Sequence, residues 1–350
     1  MFAIQDEVSR AIVRKLKPRL LDKSDKVLAK RYTENVEAYE LYVKGRFFTN
    51  KMSYRKAIEY FEEATALDPN YALPYAGLAE AYTMMALFFP VSLKEYRQKA
   101  KSAAMKALMI DDMLSEAYTS VGNFKRICEW DWQGAETAFK RAIDLNPGDA
   151  LAHVYYAAYL WAVGRLDEGI AEIKKGLELD PLSRNAHYIL GHSLSSADKL
   201  DQAIKQNRNA LDLYPGNPVS MTFLGKTNVE KGNYAEGIAL LNKAASITRG
   251  KSPFALGTLG WAYGVAGKRE EAQEILDEVL ERSKKGYFSP NFIAQIYTGL
   301  GNKDKALEWL EKACEERDPT LFPLKTLIHY RSLHSDPRFT ALLKKMGLED

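Results

Sequence analysis

The chain repeats a short helical pattern at a fixed interval, and this interval limits the possible folds more than any other feature. In residues 129–147, EWDWQGAETAFKRAIDLNP, small and aromatic residues follow one another at steps of four, three and five positions. The same steps recur along the chain at Ala57, Phe61, Ala64 and Pro69; Ala135, Phe139, Ala142 and Pro147; Gly169, Ile173, Gly176 and Pro181; Ala203, Asn207, Ala210 and Pro215. The anchors Gly169, Ala203 and Gly237 lie 34 residues apart. A regular period of this length predicts a solenoid of stacked units.

A second motif precedes each anchor by about twelve residues. It pairs a large apolar residue with a small one, as in Leu78-Ala79, Val121-Gly122, Leu190-Gly191, Leu224-Gly225 and Leu259-Gly260. Small residues at two fixed places let two antiparallel helices approach closely, and large apolar residues at i, i+3, i+4 and i+7 fill the space between them. Proline stops the second helix because it lacks an N–H and clashes with the preceding turn. The pattern predicts a series of helix hairpins.

Together these motifs resemble the tetratricopeptide repeat, whose 34-residue unit reads W-x2-L-G-x2-Y, then A-x3-F, then P. The resemblance implies an all-α fold, a right-handed superhelical solenoid of about eight helix-turn-helix units with a C-terminal capping helix. We expect an N-terminal helix and charged linker (1–36), the repeats (37–320) and a C-terminal cap (321–350). The eight predicted units are 38–71, 72–114, 115–149, 150–183, 184–217, 218–252, 253–286 and 287–320.

Two short segments inside the repeats invite a functional interpretation. Trp130-Asp131-Trp132 falls at the turn of the third unit, where Asp131 can cap the next helix and the tryptophans can cover the end of the pair. The alternative is a ligand-binding aromatic pair. The second unit holds nine extra residues around Leu87, Phe88 and Phe89. These either fold back and lengthen the helices or expose an apolar surface to a partner or a second copy.

The C-terminal residues leave the repeat register. Asp336-Pro337 predicts the start of a short helix, because proline is favoured in a first turn. Phe339, Leu342 and Leu343 lie on one apolar side of it. A solenoid needs such a terminal cap, since its last repeat otherwise exposes an apolar face.

Bulk properties restrict the partners. The 350-residue chain has a formal charge of +3, which makes no general case for nucleic acid, although residues 1–36 hold nine Lys or Arg against five Asp or Glu. That basic stretch is interpreted as solvated, with a membrane-surface or nucleic-acid contact as the alternative. The longest apolar run, Met84 to Val91, is too short to span a bilayer, which needs about 20 residues. Cys128 and Cys314 form neither a disulfide framework nor a zinc pattern and fit a reducing compartment. We therefore expect a cytoplasmic chain with no membrane partner and no nucleic acid bound by this part.

No catalytic constellation emerges. GHSLSS (residues 191–196) approaches the nucleophile elbow of hydrolases, but that motif needs a strand before it, and this one lies in a predicted helix. The five histidines occur without HExxH or CxxC spacing, and the Gly-Lys pair near Gly267 lacks the P-loop pattern. We expect no enzyme activity, no cofactor and no metal.

A narrower resemblance spans the whole chain. The combination of FAIQDE, ENVEAYELYVKGR, YALPYAGLAEAY, YFSPNFIAQIYTGLG and SDPRFTALLKKMGL is similar to the C-terminal repeat region of multidomain bacterial signalling regulators. In these proteins the region follows a winged-helix DNA-binding domain, an adenylate cyclase domain or a protein kinase domain. The resemblance implies that an effector domain lies upstream in a longer protein.

The resemblance also implies where a partner binds. In the tetratricopeptide family, the second, fifth, ninth and twelfth residues of each unit face the concave groove. The corresponding residues are Tyr39, Tyr42, Arg46, Glu80, Asn123, Arg126, Val154, Trp161, Asn185, Tyr188, His192, Lys226, Trp261 and Gln295. This mixture of rings, cations and amides suits an extended peptide, and arginine can hold a carboxylate bidentately. The set partly resembles a clamp for a peptide's C-terminal carboxylate; a solvated inner wall or packing within the array is the alternative.

Three hypotheses of function follow. The first is a non-catalytic protein-interaction scaffold, the regulatory part of a larger signalling or transcription regulator, which binds a peptide or partner domain in its concave groove. The second is a self-association module that joins attached effector domains into homo-oligomers. A third hypothesis, a hydrolase centred on His192 and Ser193, has no support beyond GHSLSS.

Overall fold

The computed structural model describes residues 32–89 and 91–349, and within them the chain forms α-helices and no strand. Sixteen of the helices form eight consecutive antiparallel pairs, in which an A helix is followed by a B helix. The A helices are α1 (Val36–Asn50), α3 (Ala72–Phe88), α5 (Ser115–Phe124), α7 (Ala150–Ala162), α9 (Arg184–Ser196), α11 (Pro218–Lys231), α13 (Pro253–Val265) and α15 (Pro290–Gly299). The B helices are α2 (Tyr54–Leu67), α4 (Leu93–Ile110), α6 (Trp132–Leu145), α8 (Leu166–Leu179), α10 (Leu200–Leu213), α12 (Tyr234–Ile247), α14 (Arg269–Lys285) and α16 (Lys303–Glu315). The predicted all-α solenoid is confirmed.

The small residues of the repeat allow the close helix contacts. A Cβ atom on Gly122 of α5 would lie 2.7 Å from the ring of Phe139 on α6, and one on Gly77 would lie 2.6 Å from the ring of Phe61. Both rings are fully buried. Each large side chain therefore fills the space that a glycine on the facing helix leaves, as the spacing of the motif predicts.

Prolines and polar caps set the helix boundaries. Pro69, Pro147, Pro181 and Pro215 each lie two residues beyond the end of a B helix. After Pro147, Pro181 and Pro215 the next A helix starts at a side-chain cap, as where the carboxylate of Asp149 accepts hydrogen bonds from the N–H groups of Leu151 and Ala152. Such caps satisfy the free N–H groups of a first turn.

The Trp130-Asp131-Trp132 segment is a structural corner. After α5, residues 125–129 form a π-helical turn, and Trp130 adopts a left-handed conformation with φ of 52°. Asp131 caps α6 by accepting a 2.9 Å hydrogen bond from the N–H of Gly134. The Trp132 indole donates a 2.6 Å hydrogen bond to the carbonyl of Met346. Trp132 thus joins the third repeat to the C-terminus of the chain.

The insertion in the second repeat lengthens its helices. Helix α3 continues to Phe88, and α4 begins at Leu93. Leu87 and Phe88 are half-buried and face the interior of the superhelix, and only Phe89 is exposed, at 37%. The ring of Phe89 meets the Tyr54 ring edge to face at 6.3 Å. The alternative of an exposed interaction loop at Leu87, Phe88 and Phe89 is therefore corrected. The segment lengthens the helices, and the side chains of Leu87 and Phe88 point inward.

The C-terminal residues do more than cap the last repeat. Helix α17 (Pro337–Lys345) packs on α16, with Asp336 as its N-cap. Before it, three short 3-10 turns, Pro319–Leu321, Leu324–Thr326 and Ile328–Leu333, run back across the inner surface of the solenoid. We call residues 319–333 the crossing segment. A cap alone was expected here, and the crossing segment differs because its apolar side chains are buried against A helices of distant repeats.

Candidate functional site

The A helices line the concave face. Several of them contribute side chains to two different regions of it. Residues near the N-terminal ends of α7 and α9, such as Leu151 and Arg184, line an open polar cavity. Residues further along the same helices, such as Ala158 and His192, line an apolar cavity. We call these two regions the polar groove and the apolar cavity. Asn185 lines both and marks their boundary.

The polar groove has a volume of about 600 Å³ and draws on the first five repeats. Its lining residues are Arg46, Thr49, Asn50, Glu80, Glu116, Asn146, Gly148, Asp149, Ala150, Leu151, Asp180, Leu182, Ser183, Arg184, Asn185 and Tyr214. Most of these side chains carry hydrogen-bonding groups, so the groove can bind backbone amides and polar side chains of a partner.

Charges in the polar groove are organised into contacts between repeats. The Arg46 guanidinium donates a 2.6 Å hydrogen bond to Glu80, and the Tyr155 hydroxyl donates to the other carboxylate oxygen at 2.9 Å. Burial opposes the charge on Arg46, but Glu80 outweighs it and raises the pKa of Arg46 above its usual value. Asp149 accepts a 2.7 Å hydrogen bond from Ser115 while it caps α7. These residues hold neighbouring A helices in register.

One cation in the polar groove has no carboxylate partner within ion-pair distance among the described residues. The Arg184 guanidinium stacks on the ring of Tyr214, with 4.4 Å between them, and its Nε makes no hydrogen bond to the described residues. The Tyr214 hydroxyl donates a 2.7 Å hydrogen bond to the carbonyl of Leu182. Leu182 itself is 62% exposed at the groove. The groove therefore offers a cation, an aromatic edge and an apolar side chain close together.

The apolar cavity has a volume of about 160 Å³ and lies between the A helices and the crossing segment. Its lining residues are Met84, Leu87, Phe88, Arg126, Tyr155, Ala158, Trp161, Asn185, Tyr188, Ile189, His192, Phe223, Lys226, Phe254, Asn291, Phe292, Gln295, Thr320, Phe322, Pro323, Leu327 and His329. Aromatic rings form much of this wall. The Trp161 ring stacks on His192 with 4.9 Å between centroids, and the edge of His192 meets Phe223 at 4.5 Å.

The crossing segment supplies one wall of the apolar cavity. The Phe322 ring meets Trp161 edge to face at 5.7 Å and lies 4.4 Å from the guanidinium carbon of Arg126. The carbonyl of Thr326 accepts a 2.8 Å hydrogen bond from Ser196. The Tyr330 hydroxyl donates a 2.7 Å hydrogen bond to the side chain of Asn291. The concave face is thus covered here by the chain's own residues.

Two buried cations lie on this wall in different settings. Lys226 forms a 2.8 Å ion pair with Glu230, and both side chains are almost fully buried. Arg126 is 3% exposed and donates one 2.6 Å hydrogen bond to the amide oxygen of Asn123. Its Nε and Nη1 have no partner among the described residues, and no carboxylate pairs with it there. Burial lowers the pKa of Arg126 to about 9.

The two histidines on the wall are held neutral. Burial, followed by the charge of Lys226, lowers the pKa of His192 and of His329 well below the usual value. Neither ring nitrogen of His329 makes a hydrogen bond to the described residues. The His329 ring packs instead on Trp261 and Tyr330.

The structure distributes the sequence-predicted groove residues over several environments. The apolar cavity takes Arg126, Trp161, Asn185, Tyr188, His192, Lys226 and Gln295. The polar groove takes Arg46, Glu80 and, again, Asn185. Tyr42 is half-buried and packs edge to face on Tyr71, while Tyr39 is half-buried on α1. Asn123, Val154 and Trp261 are buried and line neither region.

Sequence reasoning missed several residues of both regions. Asp149 and Arg184 of the polar groove occupy the cap and first position of A helices, outside the four positions that were carried over. Their signal was present, since each follows the proline that ends a B helix. Phe322 and His329 come from the crossing segment, which has no repeat register to place it. Its only signal is the high apolar content of LFPLKTLIHY, unusual for an exposed linker.

The described residues hold no group of three His, Cys, Asp or Glu side chains that could bind a metal ion. None of the helices in that part of the chain is long and apolar enough to cross a membrane.

Comparison with known proteins identifies the repeats. Family models described as tetratricopeptide repeats match residues 131–184 and 157–218, and also 41–71 and 291–318. The transcriptional regulator HilA of Salmonella typhimurium is 28% identical over 144 residues, which are 40% of this chain and 26% of HilA. HilA of Salmonella typhi matches equally. The chain therefore covers about a quarter of the length of these relatives.

Solved structures are also similar in part. YrrB, described as a TPR protein with an unusual peptide-binding site, matches with 21% identity and a TM-score of 0.36, over 56% of this chain and 95% of YrrB. MamA matches with 27% identity and a TM-score of 0.39, over 49% of this chain and 92% of MamA.

Proposed function

Because this chain is a tetratricopeptide-repeat protein, we propose that it is a non-catalytic scaffold that binds a partner peptide in the polar groove. The observation that carries the proposal is the division of the concave face. The crossing segment forms one wall of the apolar cavity, whereas the polar groove lies clear of that segment, includes the exposed Leu182 and offers about 600 Å³ beside Arg184 and Tyr214. A peptide lying there would meet an arginine for a carboxylate and polar side chains for its backbone.

The scaffold is, in this proposal, the regulatory part of a larger cytoplasmic regulator. The partial match to HilA, whose name describes a transcriptional regulator, supports a link to transcription. Since the match spans 26% of HilA, the effector domain of such a regulator would be encoded elsewhere in a longer chain. The array would then report partner binding to that domain.

A peptide-display experiment tests the groove. A library of random peptides is selected on the wild-type chain, and the selected peptides are then measured against Leu182→Arg, which places a long cation at the groove. The matched control is Leu179→Arg, because Leu179 is also exposed, at 46%, but lies outside the groove. We expect at least about tenfold weaker binding for Leu182→Arg and no change for Leu179→Arg. Peptides that bind both variants as tightly as the wild type would refute the proposal.

Self-association remains a second candidate, because α4 and the turn after it expose three methionines. Met105 and Met109 lie four residues apart on α4, Met113 lies in the turn, and the three are 49%, 78% and 56% exposed. Methionine is common on surfaces that adapt to partners. Light scattering checks this candidate: a dimer that dissociates in Met109→Glu would support it, and a wild-type monomer at high concentration would remove it.

A further inference from the structure

The apolar cavity is larger than the voids that ordinary packing leaves. Protein interiors contain few spaces larger than a water molecule. A cavity of about 150 Å³ lined by apolar side chains is enough to bind benzene. The space between the A helices and the crossing segment is about 160 Å³, and eight aromatic residues line it: Phe88, Tyr155, Trp161, Tyr188, Phe223, Phe254, Phe292 and Phe322. Its size and wall therefore suit a small organic molecule with an apolar body.

The charges on the wall favour one kind of molecule. Two cations, Arg126 and Lys226, and two histidines, His192 and His329, line the cavity, and no Asp or Glu is found among its described lining residues. The charge of Lys226 is balanced by its 2.8 Å ion pair with Glu230. Arg126 has no such partner. The uncompensated positive charge thus lies at Arg126, beside Asn123 and Phe322.

A buried guanidinium with two unpartnered N–H positions is costly unless something pairs with it. Arginine pairs best with planar anions, since its N–H fork matches the two oxygens of a carboxylate. Nε and Nη1 of Arg126 have no partner among the described residues, and Nη2 keeps a second N–H besides the one that it donates to Asn123, so one edge of the group can still present two N–H groups to a carboxylate. The hydrogen bond from the remaining terminal nitrogen to Asn123 holds the guanidinium in place.

We propose that the apolar cavity binds a small organic carboxylate with an aromatic or alkyl body. The carboxylate pairs with Arg126, and the body lies among Trp161, Phe223 and Phe322. Phe322, Leu327 and His329 belong to the crossing segment, so the ligand contacts both the A helices and the segment that covers them. Binding would therefore stabilise the segment in its present position. This inference does not depend on the polar groove and stands or falls separately from it.

Calorimetric titration of the whole chain tests the proposal with four named carboxylates: benzoate, phenylacetate, hexanoate and decanoate. Each is compared with its neutral primary amide, which has a similar shape and no charge. We expect at least one carboxylate to bind about tenfold or more tightly than its amide. Failure of all four to bind at millimolar concentration overturns the proposal, and so does equal binding of acid and amide. Binding confined to peptides with a free C-terminal carboxylate also overturns it.

Two variants test whether the carboxylate pairs with Arg126 in the apolar cavity. Arg126→Met keeps the apolar stem and removes the charge, and we expect the preference for carboxylate over amide to disappear. Arg184→Met is the matched control, because Arg184 is also a buried arginine, 6% exposed, but lines the polar groove. Its carboxylate binding should equal that of the wild type. An unchanged preference in Arg126→Met, or its loss in Arg184→Met, contradicts the assignment.

A second variant keeps the test decisive if Arg126→Met does not fold. Ala158 is 1% exposed and lines the cavity, so Ala158→Leu fills part of the space without touching a charged group. We expect its carboxylate affinity to fall by about tenfold or more while its circular dichroism stays that of the wild type. Undiminished affinity in a folded Ala158→Leu chain would place the ligand elsewhere and overturn the proposal.

Discussion

The two regions of the concave face are built from the same helices but differ in what covers them. On α9, Arg184 faces the open polar groove, whereas His192, two turns later, faces the covered apolar cavity. In the groove, Arg46 pairs with Glu80 of the next repeat, and Arg184 stacks on Tyr214. In the cavity, Lys226 pairs with Glu230, whereas Arg126 has no carboxylate partner among the described residues. The comparison indicates that the environment of a side chain depends on how far along its A helix it lies and on whether the crossing segment lies over that part of the helix.

The largest expected effect is a difference in stability between a variant of the apolar cavity and a variant of the polar groove. Trp161→Ala removes a 4% exposed ring that stacks on His192 and meets Phe322 edge to face, together with the hydrogen bond from its indole to Ser196. We expect the free energy of unfolding to fall by about 3–5 kcal/mol. Tyr214→Ala in the polar groove removes a half-buried ring and should cost about 1 kcal/mol. Urea unfolding measures both, and equal losses would contradict the distinction between covered and open regions.

The next effect compares the two buried cations. Glu230→Gln leaves Lys226 buried without its 2.8 Å partner, and we expect a loss of about 3 kcal/mol. Arg126→Met removes a cation that has no carboxylate partner, so its loss of hydrogen bonding to Asn123 is offset by the removal of a buried charge. Its stability should stay within about 1 kcal/mol of the wild type. The reverse order in urea unfolding would show that Arg126, not Lys226, is the paired cation.

A smaller effect depends on pH and arises from His192 and His329. Both have a pKa below the usual value because of burial and Lys226, so they stay neutral in the folded chain while the unfolded chain takes up protons below pH about 6.5. Stability should therefore fall as the pH drops below 6.5, by up to about 1.4 kcal/mol per histidine and pH unit. The double variant His192→Gln, His329→Gln should show a flatter profile between about pH 7.5 and about pH 5.5. Parallel profiles would contradict their burial in neutral form.

We expect His153 to contribute the opposite dependence of stability on pH, so it is left unchanged in the double variant. Its hydrogen bond to Glu172, at 2.5 Å, outweighs burial and raises the pKa of His153. A raised pKa contributes stability that is fully present below the unfolded value and is lost as the pH rises through the folded value. Because the double variant retains His153, its contribution cancels when the two profiles are subtracted.

The smallest effect compares two tyrosine hydroxyls. Tyr330→Phe removes a fully buried hydroxyl that bonds to the side chain and the carbonyl of Asn291, and we expect a loss of about 1–3 kcal/mol. Tyr214→Phe removes an exposed hydrogen bond to Leu182 and should cost about 0.5–1 kcal/mol. Thermal unfolding of the two variants measures which of them loses more stability. A larger loss for Tyr214→Phe would mean that the crossing segment is less tightly packed than the groove.

The repeats could be predicted from the sequence because their information is local. The steps of Ala135, Phe139 and Ala142 encode one helix face, and the glycine that receives Phe139 lies in the preceding helix. The cap at Asp131 follows from its place before an amphipathic run and is confirmed by its hydrogen bond to Gly134. The same kind of local signal recurs along the chain, so one unit can be predicted without knowing the others.

The crossing segment could not be placed in this way, because its contacts join residues far apart in sequence. Thr326 of the segment bonds to Ser196, 130 positions away, and Met346, beyond α17, bonds in the same way to Trp132, 214 positions away. No periodicity relates such pairs. The predicted groove positions of Arg126, Trp161 and Lys226 depended on an open concave face, and the segment changes their surroundings from solvent to a buried wall. The burial of these residues therefore follows from a tertiary contact that the repeat pattern does not contain.

Photo-crosslinking tests most directly the central claim that the crossing segment covers one half of the concave face. Lys325 of the segment lies beside the turn of the fourth repeat, where a Cβ on Gly164 would be 3.4 Å from its side chain. With p-benzoylphenylalanine at position 325, the account predicts a crosslink to a peptide that contains Gly164, identified by mass spectrometry. Crosslinks confined to the residues around α16 and α17 would contradict the account and leave the concave face open along its whole length.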